Sequence, residues 1–400
     1  MSGIGQRAWA IGIGVAGWLA AAGAIAQTQP KGLFLIQAFD GAPLSVSSLD
    51  VAINGDIVLA GSPPEGSTAD PGMRVARFDA AGRRLWERNP APKSEFVSTV
   101  IARAVGPDHT FAAFDETPKE QSQLALVRLD GKGQTLWRRE LGPGAVSDLA
   151  VDGEAGAVVS GSVAREKTGE IEALVMRVSA DGAPGWRRRL SGERKEGGNS
   201  ADLLRLAPQA VTLVGGLADI AYDKDDTVLA SRGVAIKLQA DGQPVWRHFF
   251  GDGNTLTMVG GMAANSLGDA YVLALTETAA NAGQFVELVR IRSDGSIAWR
   301  RPLAGPASQE INDMIILPDG GLALVGSEPQ SQDVRAAILI LLDNEGIERA
   351  RVNYRGYKMR RALMLKSHPL GGFAILFEGP AGSGFDTTSY LARVDAQGRF

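Results

Sequence analysis

The sequence predicts an all-β protein, a seven-bladed β-propeller of about four antiparallel strands per blade. Three observations carry this reading. A strand, a hairpin Gly and a Trp four residues beyond the Gly recur along the chain, and the hairpin glycines Gly82, Gly133, Gly182, Gly242, Gly295, Gly346 and Gly398 stand 51, 49, 60, 53, 51 and 52 residues apart. A repeat of that length is the spacing of propeller blades. Gly makes up 50 of 400 residues, or 12.5%, against roughly 7% in average usage, as many tight turns between short strands require. Finally, no segment carries an apolar i, i+3, i+4, i+7 stripe over three turns, so little helix is expected outside the first residues.

Residues 1–26 read as a cleavable signal peptide. Arg7 closes a short n-region, Ala8 to Ala24 run apolar and uncharged, and Ala24-Ile25-Ala26 sets small residues where a signal peptidase reads. Cleavage then falls before Gln27. The alternative is an uncleaved anchor over the 19 residues from Ala8 to Ala26. No later stretch is apolar enough to cross a membrane as a helix. The mature chain, 27–400, is then a single propeller domain, periplasmic or secreted. With no Cys, it is indifferent to an oxidising compartment.

Each copy divides into strands in the same way. In the third, Val146 to Val151 forms a first strand, Ala157 to Gly161 a second, Glu172 to Val178 a third and Trp186 to Leu190 a fourth. Asp181-Gly182 between the last two reads as a type I′ hairpin. The last copy stops at Phe400, before its fourth strand, while Gly32 to Phe39 is a strand without a blade. An N-terminal strand completing the C-terminal blade closes the ring and leaves no open seam. Phe34 then falls near the position of the missing Trp. Six or eight blades are the alternatives, because Ala350 replaces Trp in the sixth copy and the seventh is truncated.

The phrase Asp79-x-x-Gly82-x-x-x-Trp86, repeated at Asp130, Gly133 and Trp137, resembles the repeat of bacterial quinoprotein-type (PQQ-like) propellers. In that family the Trp docks between neighbouring blades, which the resemblance implies for this whole mature chain. The family's Asp commonly lies four residues before the Gly, with Thr directly before it. Here Asp79, Asp130, Asp343 and Asp395 lie three before, and Ala81, Lys132, Asp181, Asp241, Asp294, Glu345 or Gln397 stands in the Thr position. The chain is therefore placed among exported repeat propellers, and PQQ itself is not expected.

Candidate residues carry competing readings. Trp86, Trp137, Trp186, Trp246 and Trp299 form either a stacking platform for carbohydrate or wedges between blades; a large ring once per blade favours the structural role. The arginines after them, Arg138-Arg139, Arg187-Arg188-Arg189, Arg247 and Arg300-Arg301, form either a belt for a polyanion or charged guards on outer edge strands. Asp148, Asp202 and Asp313 recur near the start of the first strand, which lines the central channel. They are the candidate ligands of a divalent cation such as Ca²⁺, against the plainer role of bonding a neighbouring turn. Asp50 lies two residues beyond the same position. In the longest interval, Asp223-Lys224-Asp225 has the opening spacing of a calcium loop, without its Gly and distal Glu.

Composition excludes several classes. Lys and Arg number 41 against 45 Asp and Glu, a net charge of −4, so nothing draws the chain to nucleic acid. Without Cys there is no thiolate nucleophile, Cys-ligated zinc or iron–sulfur cluster. His109, His248 and His368, the three histidines, fall in unrelated repeat positions, and no metalloprotease, esterase or phosphate-loop motif occurs. The expected function is a non-enzymatic, monomeric scaffold that binds another envelope protein or an extracellular polymer. The alternative is a quinoprotein-like oxidoreductase or a metal-dependent hydrolase or lyase acting at the channel.

Overall fold

The computed structural model describes residues 34–37, 45–62, 73–91, 97–117, 122–152, 156–165, 170–192, 198–222, 228–277, 284–306, 308–331, 334–357, 359–380 and 387–400. The expected signal peptide and the Asp223-Lys224-Asp225 loop lie outside them. The described residues form seven four-stranded antiparallel sheets, arranged as the seven predicted blades. Helix is confined to two single 3₁₀ turns, Pro208–Ala210 and Arg355–Tyr357.

Innermost in blades 1 to 7 are the strands Ser45–Val51, Val97–Val105, Ala145–Val151, Leu203–Ala207, Thr257–Ala264, Glu310–Ile316 and Arg361–Ser367. Each touches its neighbour around the ring, including the first and the last. The middle strands of each blade are covered on both sides, which is why they read as unbroken apolar runs. Leu322 to Val325 and Ala336 to Ile340 are almost fully buried, and the apolar clusters span adjacent blades. Such burial supplies about 25 cal/mol per Å² of apolar surface.

In blade 3 the four strands are Ala145–Val151, Gly156–Ala164, Ile171–Ser179 and Pro184–Leu190, in the predicted order. The turn between the last two differs from expectation. A type I′ turn needs positive φ at both central residues, but Gly182 has φ 84° and Asp181 is not left-handed. Gly182 N–H donates to Ser179 O at 3.0 Å and Ser179 N–H to Ala183 O at 2.9 Å. This is a type I turn ended by a left-handed Gly, a G1 bulge that side chains before the Gly tolerate. In the first repeat, the carboxylate of Asp79 secures the same turn by accepting from Ala81 N at 3.0 Å and Arg83 N at 2.9 Å.

The ring closes as the sequence implied. Phe34–Gln37 pairs with Thr387–Val394, completing blade 7. Phe34 pairs with Arg393 as Trp86 pairs with Arg77, so Phe34 occupies the Trp position. A Cβ on Gly82 would meet the Phe34 ring at 2.9 Å, just as one on Gly133 would meet Trp86 at 2.8 Å. Each ring thus lies on the bare hairpin Gly of the next blade. Blade 6 solves its missing Trp differently. Ala350 takes the paired position, and the buried Tyr354 donates its hydroxyl to Gly398 O at 2.8 Å while its ring meets Phe377 at 4.8 Å.

Candidate functional site in the central channel

Alternation along each innermost strand sends successive side chains to opposite sides. One row, Leu49, Ala102, Leu149, Leu204, Met262, Met314 and Leu365, is buried between blades. The residues flanking that row stand at the channel. Asp148 and Asp313 precede it, each just after a one-residue bulge and opposite Ser160 and Val325 respectively. Arg103, Arg205 and Lys366 follow it in blades 2, 4 and 7, with Asp50 at the equivalent place in blade 1.

Two of the three predicted carboxylates are brought into one network. Asp148 accepts from Leu149 N at 2.8 Å and, across the blade boundary, from Leu204 N at 2.9 Å. Arg103 reaches it from the preceding blade at 2.6 Å, and Arg205 from the following one at 3.3 Å. Asp313 accepts from Met314 N at 2.9 Å and from Leu365 N of the next blade at 3.0 Å. Arg205 also reaches Asp313 at 3.3 Å. One guanidinium therefore joins blade 4 to blades 3 and 6. Blade 5 offers only Gly261 and Ala263 at the two channel positions, which leaves room for that span.

Asp202 does not share the position of the other two. Leu203 pairs with Gly215, where Asp148 pairs with Ser160, so Asp202 stands one residue earlier, in the bulge slot. A one-residue offset sends a strand side chain to the other side. Asp202 accepts from Ser200 Oγ at 2.5 Å. Burial pushes its carboxyl pKa up, and the nearby Asp148 charge adds to the rise despite the Ser200 bond. Among the described residues, no group of three or more His, Asp or Glu side chains is arranged to hold a metal ion.

Asp50 serves the same end as Asp148, accepting from Ala104 N of blade 2 at 2.8 Å. Ser48 Oγ accepts from Ala102 N at 2.9 Å. The polar residues of the innermost strands thus latch consecutive blades together. Arg103, Arg205 and Lys366 were not singled out from the sequence, although their common register is legible once the buried row is found.

The tryptophans lie at the blade boundaries. Trp86 Nε1 donates to Gly131 O at 3.0 Å, Trp137 Nε1 to Ala180 O at 3.1 Å and Trp186 Nε1 to Ala240 O at 2.7 Å. Trp246 and Trp299 hold the same register opposite Lys237 and Arg290. The outer arginines are also committed. Arg189 pairs with Glu172 at 2.8 Å, Arg300 with Glu287 at 3.1 Å, and Arg247 donates to Ser191 O of the preceding blade at 2.9 Å. The imidazole of His368 spans the closing seam, with Nε2 3.0 Å from Gly55 O and Nδ1 accepting from Leu370 N at 3.2 Å. Those roles define the neutral tautomer with the proton on Nε2.

No known protein family and no curated protein matches the sequence. Solved structures do share the fold. The Dos1 propeller is similar at TM-score 0.53 and 11% identity, over 92% of this chain and 98% of that one. The polysaccharide lyase Uly1 gives TM-score 0.55 at 10% identity, covering 90% and 91% of the two chains. YCF48 bound to D1 peptide gives 0.53 at 10%, covering 92% and 96%. Likeness at such identity defines the class, a β-propeller, and leaves activity to be argued from the residues.

Proposed function

We propose that this chain is an exported, non-enzymatic binding scaffold whose partner is another protein of the cell envelope. The supporting observation is a set of exposed apolar side chains on one face of four consecutive blades. Ile171 of blade 3, Tyr222 and Leu229 of blade 4, Phe285 of blade 5 and Val334 of blade 6 are all exposed. Each sits where the second and third strands of its blade meet, on the face where the innermost strands begin. The opposite face exposes apolar side chains too, Ile53, Leu267 and Leu370 among them, but the exposed aromatic rings in this set, Tyr222 and Phe285, lie on this face, and aromatic side chains are enriched where proteins bind. The peptide-bound YCF48 structure shows the fold carrying such a ligand in another protein. Export is supported by the Ala24-Ile25-Ala26 sequence behind an uncharged apolar run. Placement in the PQQ-like repeat class is supported by the hairpin Gly and Trp phrase.

The test is site-specific photo-crosslinking in intact cells. A crosslinker at Phe285 or Leu229 is expected to give one discrete adduct, and one at Leu85 or Leu136, exposed at the opposite ends of blades 1 and 2, none. Adducts from neither face, or equally from both, would contradict the proposal.

The enzyme reading has one observation in its favour. Burial, with Asp148 adding to it, raises the pKa of Asp202, and a carboxyl that keeps its proton to higher pH is what a general acid requires. Turnover that vanishes in Asp202→Asn while the fold is retained would establish that reading.

A further inference from the structure

Among the described residues, the channel contains one cation that its neighbours leave unmatched. Lys366 stands on the innermost strand of blade 7, at the position of Arg103 in blade 2 and Arg205 in blade 4; their cross-strand partners are Ala374, Phe111 and Leu213. Both arginines are engaged with Asp148, and Arg205 with Asp313 as well. Among the described residues, Lys366 Nζ has no hydrogen-bond partner and no carboxylate oxygen within 4.0 Å. It is the only one of the three channel cations in that condition.

Of the nearby carboxylates, Asp313 is engaged by three donors and Asp50 by one backbone N–H. Asp50 accepts from Ala104 N, and Asp313 from Met314 N, Leu365 N and Arg205. Burial does most to disfavour the charge of the ammonium, and Arg103 and Arg205 add to it more strongly than Asp313 and Asp50 offset it. Arg103 and Arg205 thus bring like charge towards Lys366. The guanidinium Nε–H groups of Arg103 and Arg205 also remain unspent among the described residues. Lys366 keeps partial exposure, so a solute in the channel can reach it.

We propose that Lys366, Arg103 and Arg205 form a binding site for a carboxylate monoanion in the central channel. A planar head with two oxygens can accept from the ammonium and from a guanidinium edge at once. A dianion such as sulfate is disfavoured, because Asp50, Asp148 and Asp313 share the ring and repel the second charge. The carboxylate belongs either to a small free acid or to an acidic side chain on a partner's loop. The site stands whether or not the scaffold reading does.

The experiment is calorimetric titration of the mature protein at pH 7 with sodium acetate, with a tetraglutamate peptide and with sulfate, at matched ionic strength. One-to-one saturable binding of acetate assigns a free acid, and binding of the peptide alone assigns a protein-borne carboxylate. Lys366→Met is expected to weaken binding at least tenfold and Lys366→Arg to retain it. A second readout needs no variant. In protein carrying ¹³C-methyl labels on its lysines, the Lys366 resonance is expected to titrate at higher pH when the bound carboxylate is present. No saturable carboxylate binding, tighter binding of sulfate, undiminished binding by Lys366→Met, or a Lys366 titration indifferent to the carboxylate would each overturn the proposal.

Discussion

Replacing Arg205 with Met tests whether the channel is held by a guanidinium that bridges three blades. The variant loses contacts at 3.3 Å to both Asp148 and Asp313 and a 2.8 Å bond to Leu204 O. Asp148 keeps Arg103 at 2.6 Å and two backbone N–H donors. Asp313 keeps only its two backbone donors, so most of the loss falls there. Breaking one side of a buried pair costs about 3–5 kcal/mol. Arg205 is 20% exposed and Asp313 13%, which brings the expectation to about 2–3 kcal/mol after allowance for solvent screening. Urea unfolding followed by tryptophan fluorescence measures it. Adding Asp313→Asn should recover about 1–2 kcal/mol of the loss, since the two residues share one contact. A loss below about 0.5 kcal/mol, the scale of an ordinary surface substitution, would refute the bridge.

Other expectations follow from the blade boundaries. Trp86→Ala should cost about 3–5 kcal/mol in the same urea assay, because it removes a buried ring and orphans Gly131 O. A much smaller cost would mean the ring is not a wedge. Tyr354→Phe should cost about 1 kcal/mol through the bond to Gly398 O, and a neutral result would show that the ring alone replaces the missing Trp. His368 supplies a pH signature. Burial, with Arg393 adding to it, lowers its pKa from 6.5 to about 4. Its contribution is complete above pH 6.5 and is lost as the pH falls towards 4, because the unfolded state takes up the proton first. His368→Gln should flatten that part of the stability profile, and an unchanged profile would assign the acid sensitivity elsewhere.

The architecture was legible because each blade repeats its own local chemistry. The hairpin Gly must be left-handed and bare for the neighbouring ring to lie against it, so Gly and Trp recur together. Phe34 could be placed by the same spacing. The channel was less legible. A one-residue bulge decides whether Asp148 and Asp313 share a position with Asp202, and no residue type marks such a bulge. The bridge from Arg205 to Asp313 joins residues 108 apart in sequence, a separation set by ring closure and invisible to local pattern. The replacement of Trp by Tyr354 also escaped notice, since the ring comes from a position four residues beyond Ala350. The hairpin type was misread because Asp-Gly suits both a type I′ turn and a type I turn with a G1 bulge.

The central claim is that the channel carboxylates hold blades together and leave the molecule to act by binding. Native mass spectrometry of the protein purified from the cells that make it, with metal analysis of the same sample, tests it most directly. The expected result is the bare mass of the chain, with no stoichiometric divalent ion or organic cofactor. A divalent ion at one per chain, lost in Asp148→Asn or Asp313→Asn while the fold persists, would contradict it and return the channel to metal chemistry.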